Sequence, residues 1–202
     1  MRKFLFSSLR VLLLGGLASL SVAGSAQAAT AASNTSQCTE GSFSQPFLPL
    51  KDSNWYTLAP GQSESGFNGS GWTLSGGAKI VTTKLPNGST GTVLDLPSGS
   101  KAVSPVVCVT KEYPVARAYV DDVVGSEGVF FYVSYEGTNT WEKPKNTGQI
   151  HGQNGAWEAV TPVNLQPGNA SGWQPMKITL EPGGKTSDFE VYDLYLDPRL
   201  SH

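Results

Sequence analysis

Charged side chains are scarce in this chain. Asp, Glu, Lys and Arg make up only 15% of its 202 residues. The basic ones are scattered, with no stripe that could track a phosphate backbone, which excludes nucleic acid as a partner. Histidine and cysteine are scarcer still, at two each. His151 is the only histidine besides the terminal His202, so a Cys/His metal centre cannot be completed. No Gly-x-Ser-x-Gly elbow occurs, and nothing near His151 supplies an acid to orient it, which leaves serine hydrolysis without support. Outside the N-terminus no window sustains a 3.6-residue apolar period and no segment repeats, so a helical fold and a repeat array are both excluded.

What is present begins with an export pattern. Arg2 and Lys3 precede an apolar run from Val11 to Val22, and Ala26-Gln27-Ala28 supplies a small-x-small cleavage site. The pattern predicts a secretory leader over residues 1–28, removed after Ala28. A retained membrane anchor is the weaker reading, because Gly15, Gly16 and several serines interrupt the run. No cysteine opens the chain that follows, and Arg199-Leu200-Ser201-His202 is polar, so nothing is expected to hold it to a membrane after cleavage. Taking away Arg2, Lys3 and Arg10 leaves 11 basic against 16 acidic side chains, a net charge near −5. In an exported chain Cys38 and Cys108 read as a disulfide. The rival, two free thiols or half a metal site, lacks the further ligands it needs.

Residues 29–37 are small and polar and predict a disordered lead-in, with one domain over 38–202. With 23 glycines and 13 prolines, the domain reads as many short strands joined by tight turns. Phe47-Leu48-Pro49-Leu50 reads as an apolar tether, and Asn54–Leu58 as a first strand. Ser63–Gly71 is loop-like. Two strands flank Gly76-Gly77, with Trp72 and Leu74 facing inward. Thr92–Leu96 alternates after the Asn87-Gly88 turn. Lys101–Thr110 contains Pro105, which marks an edge or a strand start. Val115–Val120 alternates, and Val129–Tyr135 is the most β-prone run in the chain. Glu136–Gly155 is the longest loop, with a short strand near Gln149-Ile150. Ala156–Leu165, Met176–Leu180 and Asp188–Leu196 close the chain as three strands. Such spacing predicts an all-β fold, a single antiparallel β-sandwich.

Three stretches carry a resemblance. Trp72-Thr-Leu-Ser-Gly-Gly-Ala78, Leu96-Pro-Ser-Gly-Ser-Lys-Ala-Val-Ser-Pro-Val-Val-Cys108 and Val191-Tyr-Asp-Leu-Tyr-Leu-Asp-Pro198 resemble secreted bacterial β-sandwich proteins. The first and last also look like carbohydrate-binding modules of the galactose-binding-like jelly-roll type. In those modules an early W-x-x-x-x-G-A turn is matched by a final strand with paired aspartates. Here Tyr192-Asp193-Leu194 stands at that place, so one of the two acids is missing. The resemblance implies a jelly roll. It also implies a structural Ca²⁺ between an early loop and the last strand, for which Asp52, Asp193 and Asp197 could supply oxygen ligands.

Sugar recognition needs aromatic platforms for C–H faces and amides or carboxylates for hydroxyls. The loop between Glu136 and Gly155 and its border supply both. The candidate ligand-binding residues are Trp141, Asn139, His151, Gln153, Asn154 and Trp157, with Trp141 the one expected to be exposed. Against this, Trp55 and Trp72, and after them Trp157 and Trp173, also read as strand-start or core residues. Asp188 and Glu190 share a side of a regular strand and Asp193 lies opposite, so the three cannot converge as glycosidase acids. The expectation is a secreted, extracellular, monomeric and non-catalytic binding domain for a polysaccharide or cell-envelope glycan. The alternative is a structural or interaction protein of the matrix or cell surface with no small ligand, its apolar surface on a sheet face.

Overall fold

The computed structural model describes residues 35–38, 41–112, 114–138 and 140–198. The predicted leader and residues 29–34 lie outside these, and the end of the expected lead-in is a 3-10 turn, Thr35–Gln37. A second such turn, Leu48–Leu50, falls within the apolar tether. The strands are β1 (Thr57–Leu58), β2 (Gln62–Ser63), β3 (Gly66–Phe67), β4 (Thr73–Ser75), β5 (Lys79–Lys84), β6 (Thr90–Pro97), β7 (Lys101–Val103) and β8 (Val107–Val109). They continue as β9 (Val115–Val124), β10 (Val129–Tyr135), β11 (Lys145–Ile150), β12 (Gln153–Asn154), β13 (Glu158–Ala159), β14 (Val163–Asn164), β15 (Gln174–Pro182) and β16 (Asp188–Asp197).

They form two sheets. The larger has ten strands, with β9, β16 and β6 side by side at its centre and β5 on β6. The smaller has six, ordered β11-β10-β15-β7-β4, with β8 also on β15. Pairing is antiparallel except for the short contacts of β12 with β9 and β3 with β6. From β4 onward the chain passes back and forth between the sheets, which is the wiring of a jelly-roll sandwich. Among the described residues no helix is long and apolar enough to cross a membrane.

The two inner faces share one core. Phe131, Met176, Ile178 and Leu180 of the small sheet meet Leu94, Leu96, Phe189, Val191 and Leu194 of the large one, all 0–1% exposed. Each such side chain contributes about 1.5–3 kcal/mol by leaving water. Trp72 and Leu74 face this core as expected, and Trp72 donates its Nε1–H to the Pro60 carbonyl at 2.7 Å. The predicted 63–71 loop is instead partly the β2–β3 hairpin, because Phe67 is buried in the core. The expected Ala156–Leu165 strand is two short ones on β9, interrupted around Pro162, which has no N–H to donate. The turn that carries the chain from β4 in the small sheet to β5 in the large one has Gly76 and Gly77 at φ 65° and 100°. A Cβ at Gly76 would also run into the Gly99 carbonyl, so this turn tolerates no side chain there.

Cys38 and Cys108 are bonded, with Cα atoms 5.5 Å apart across 70 residues of sequence. Closing a loop of that length restricts the unfolded chain by about 4 kcal/mol in the entropy picture. The bond fastens the N-terminal arm to β8. Further along the arm, Phe47 and Tyr56 are fully buried against Tyr119 and Tyr195 on the outer face of the large sheet. The tether is thus a roof over that face.

Candidate functional site

The two outer faces of the sandwich differ. On the small sheet, Phe130 and Tyr132 alternate along β10 with the core residues Val129, Phe131 and Val133, so they point to solvent and are half-buried. Their rings lie 6.3 Å apart. In antiparallel pairs, residues in register share a face and stand side by side. Phe130 is thus flanked by Gln149 and Glu181, and Tyr132 by Asn146 and Thr179, with Val103 and Thr73 continuing the second row. Glu181 is paired with Lys101 at 2.7 Å. Ser134 and Lys177 form a third row, and the Lys177 Nζ sits 4.4 Å from the centre of the Trp141 ring. Three aromatic side chains therefore share one face with two amides, a carboxylate and the exposed Thr73 hydroxyl, while Thr179 and Ser134 are buried between their neighbours.

The outer face of the large sheet is roofed at one end and acidic at the other. At the roofed end Arg117, only 9% exposed, reaches Asp52 at 2.6 Å and the Val160 carbonyl at 2.6 Å, and lies 4.3 Å over the Phe47 ring. Asp52 also accepts the Tyr56 hydroxyl at 2.7 Å and the Asn54 N–H. Burial alone would raise the Asp52 carboxyl, but these donors and the guanidinium outweigh it and hold the group below the usual range. At the acidic end Asp121, Glu190 and Asp95 stand in one cross-strand row, with Lys79 beyond them bonded to Asp95 at 3.2 Å. Burial, and after it the neighbouring carboxylates, raises Asp121, Glu190 and Asp188.

Between the two ends, β16 breaks step. Asp193 adopts φ 48°, and the register slips between Tyr192 and Tyr195, so both tyrosines face outward and Leu194 returns to the core. The Asp193 carboxyl lies within hydrogen-bonding reach of both hydroxyls, yet burial dominates and pushes it up to about 6. The three acids considered together from sequence, Asp188, Glu190 and Asp193, do not form the acidic row; two neighbouring strands complete it. Parity along one strand does not report on its neighbours: three strands bring Asp121, Glu190 and Asp95 together, while Asp193 lies on a bulge.

The candidates named from sequence are dispersed. Trp141 belongs to the small-sheet face. Trp157 lies on the other side of the molecule, edge-on to Tyr192 at 6.1 Å, with its Nε1–H given to the Lys84 carbonyl at 2.8 Å. It walls an open cleft of about 420 Å³ with Asp121, Thr83 and Leu85. Gln153 and Asn154 are exposed and pair with Asp121 and Asp122 on the large sheet. His151 is exposed and packs on Gly128, where a Cβ would meet its Nδ1 at 2.5 Å. Asn139 lies outside the described residues. Of the suggested calcium ligands, Asp52 is engaged by Arg117 and Tyr56, Asp193 is in the bulge, and Asp197 is buried at the end of β16. Among the described residues no group of three or more His, Cys, Asp or Glu could hold a metal ion.

Phe130, Tyr132, Asn146, Gln149 and Glu181 are not among the residues expected from sequence, because they lie on strands and the expected platform is a loop. The signal was present. Val129-Phe-Phe-Tyr-Val-Ser-Tyr135 is apolar on both faces, and only one face of an outer-layer antiparallel strand can enter the core.

No protein-family model matches the sequence, and no curated protein does either. Several solved structures resemble the chain. One is the first family 22 carbohydrate-binding module of Paenibacillus barcinonensis Xyn10C, a xylan-binding domain (13% identity, 72% of this chain and 94% of that one, TM-score 0.43). Another is a xylan-binding domain from family 22 (14% identity, 75% and 99%, TM-score 0.46). A third is the family 11 module of Clostridium thermocellum in complex with a β-1,3-1,4-mixed-linked tetrasaccharide (13% identity, 73% and 98%, TM-score 0.38). At TM-scores below 0.5 these likenesses carry no weight about ligands, and the sandwich rests on its own strand pairing.

Proposed function

We propose that the chain is a secreted, non-catalytic module that binds a polysaccharide or cell-envelope glycan along the outer face of its small sheet. The observation that carries this reading is the pair of solvent-facing rings, Phe130 and Tyr132, set in register between Gln149, Asn146, Thr179 and Glu181. A sugar presents an apolar C–H face and a rim of hydroxyls, and this arrangement answers both. Trp141 closes one end of the platform above Lys177. The leader pattern and the disulfide support export.

A sheet face carrying the aromatic surface also suits a matrix or cell-surface interaction protein. Here amide, hydroxyl and ion-paired groups interrupt the rings, so the face lacks the unbroken apolar area of a protein-docking patch. Affinity electrophoresis in gels containing xylan, mixed-linkage glucan, cellulose derivatives or chitin derivatives separates the readings. At least one polymer should retard the protein, and Tyr132→Ala should relieve that retardation at least tenfold. Retardation by none of them, or full retention in Tyr132→Ala, overturns the proposal. No reducing ends are expected from the retarding polymer. Their release would instead give the Asp121–Glu190–Asp95 row a catalytic role.

A further inference from the structure

A second cavity shares no lining residue with the platform rows. At one edge of the sandwich, the ends of β1 and β16 part from β8, and the disulfide-tethered arm crosses the opening. The result is a cavity of about 230 Å³ lined by Trp173 and Phe43, by the amide-bearing Gln37 and the hydroxyl-bearing Thr57, and by Val106 and Leu196, among others. Three observations define what suits it. Among the described residues lining it there is no Asp, Glu, Lys, Arg or His, so these walls favour an uncharged occupant, because a buried ion without a partner is costly. The volume equals roughly seven or eight waters at about 30 Å³ each, below the range of about 300–1,000 Å³ for larger ligands, which leaves room for one ring. Two aromatic side chains stand with an amide and a hydroxyl, the mixture that recognises a ring with apolar faces and a hydroxyl rim.

We infer that this opening is a separate binding site for a single neutral sugar ring, such as the end of a glycan chain. It takes its ligand class from its own lining and does not depend on the platform. The arm forms one wall, with Gly41 so close to the Thr57 hydroxyl that a Cβ there would collide with it. The Cys38–Cys108 bond keeps that wall in place.

The test is titration of the oxidised protein with D-glucose, D-galactose, D-mannose and D-xylose, followed by saturation-transfer NMR and calorimetry. D-glucosamine and D-glucuronate serve as charged controls. At least one neutral sugar should saturate with a Kd on the order of 1 mM. Trp173→Ala should weaken it at least tenfold, and Val106→Phe, which fills the cavity while keeping its lining apolar, should abolish it. Tyr132→Ala should leave it unchanged. The inference is overturned if no neutral sugar binds, if the charged sugars bind as tightly, or if binding survives both cavity variants. Loss in Tyr132→Ala overturns it too, because the sugar would then sit on the platform. If the cavity variants lose the monosaccharide while no polymer is retarded, this site stands and the platform reading falls.

Discussion

The two outer faces of this sandwich use aromatic residues in opposite ways. On the large sheet, Tyr119, Tyr192 and Tyr195 are packed beneath Phe47, Tyr56 and Trp157, and every ring has a neighbour at 5–6 Å. Around them are a buried ion pair, a row of carboxylates and an aspartate in a bulge. On the small sheet, Phe130 and Tyr132 have each other as ring neighbours and remain half-buried on the solvent side. A face roofed by its own chain spends its rings and charges on holding shape. A face left open can offer them to another molecule. Perturbed titration therefore marks the structural face here, although such shifts are often taken as pointers to function.

Removing Arg117 should have the largest effect. Arg117→Met leaves Asp52 half-buried without its cation and takes the guanidinium from above Phe47. A loss of about 3–5 kcal/mol is expected, read by urea unfolding, with polysaccharide binding by the folded fraction unchanged. A smaller loss would mean that the roof is held mainly by its rings.

The next largest effect is on pH dependence. Asp193 has a folded value of about 6, above its ordinary 3.8. Its carboxyl therefore stabilises the fold while protonated, and that contribution is lost as pH rises from about 4 through about 6. Asp121, Asp188 and Glu190, also raised, act in the same direction. Asp52 is lowered, so its contribution is present above 3.8 and fades only as pH falls below that. The melting temperature should fall between pH 4 and 7, by the equivalent of roughly 2 kcal/mol from Asp193 alone. Asp193→Asn, which keeps a residue suited to positive φ, should flatten that part of the curve. An unchanged slope would move the effect to the acid row.

On the open face the expected losses fall on binding. Tyr132→Ala should cost at least tenfold in affinity, about 1.4 kcal/mol, with under about 1 kcal/mol of stability. Trp141→Ala should cost less, since its ring sits at the end of the platform above Lys177. Trp157→Phe makes the smallest and most discriminating change. It removes the bond to the Lys84 carbonyl, worth about 1 kcal/mol of stability, and should leave binding untouched. If Trp157 mattered for affinity and Tyr132 did not, the two faces would have to exchange roles.

The fold was legible where local chemistry and tertiary demand agree. Val129–Tyr135 was read at its full length, and the strands around Gly76-Gly77 and the last strand followed from turn residues and alternation. β11 was reduced to its last two residues, because Lys-Asn-Thr-Gly-Gln has little strand propensity and pairs only because β10 presents an edge. The site was less legible, since it is assembled from strands distant in sequence. Asn146 and Tyr132 become neighbours through a register that includes a slip between Phe131 and Tyr132, which no local pattern encodes. The loop residues were plausible one at a time, yet the fold sends Trp141 and Trp157 to opposite faces.

The bulge in the last strand has a consequence for insertion and deletion. Two residues, Asp193 and Leu194, stand opposite the single Ala118 between the Tyr192–Tyr119 and Tyr195–Arg117 pairs. Asp193 is thus one residue more than a regular ladder needs. A chain shortened by that one position would still send Val191, Leu194 and Leu196 inward and both tyrosines outward. Most deletions in a central strand turn half of it inside out. At this one position the strand can change length and keep its phase, giving up only the acid between the two tyrosines.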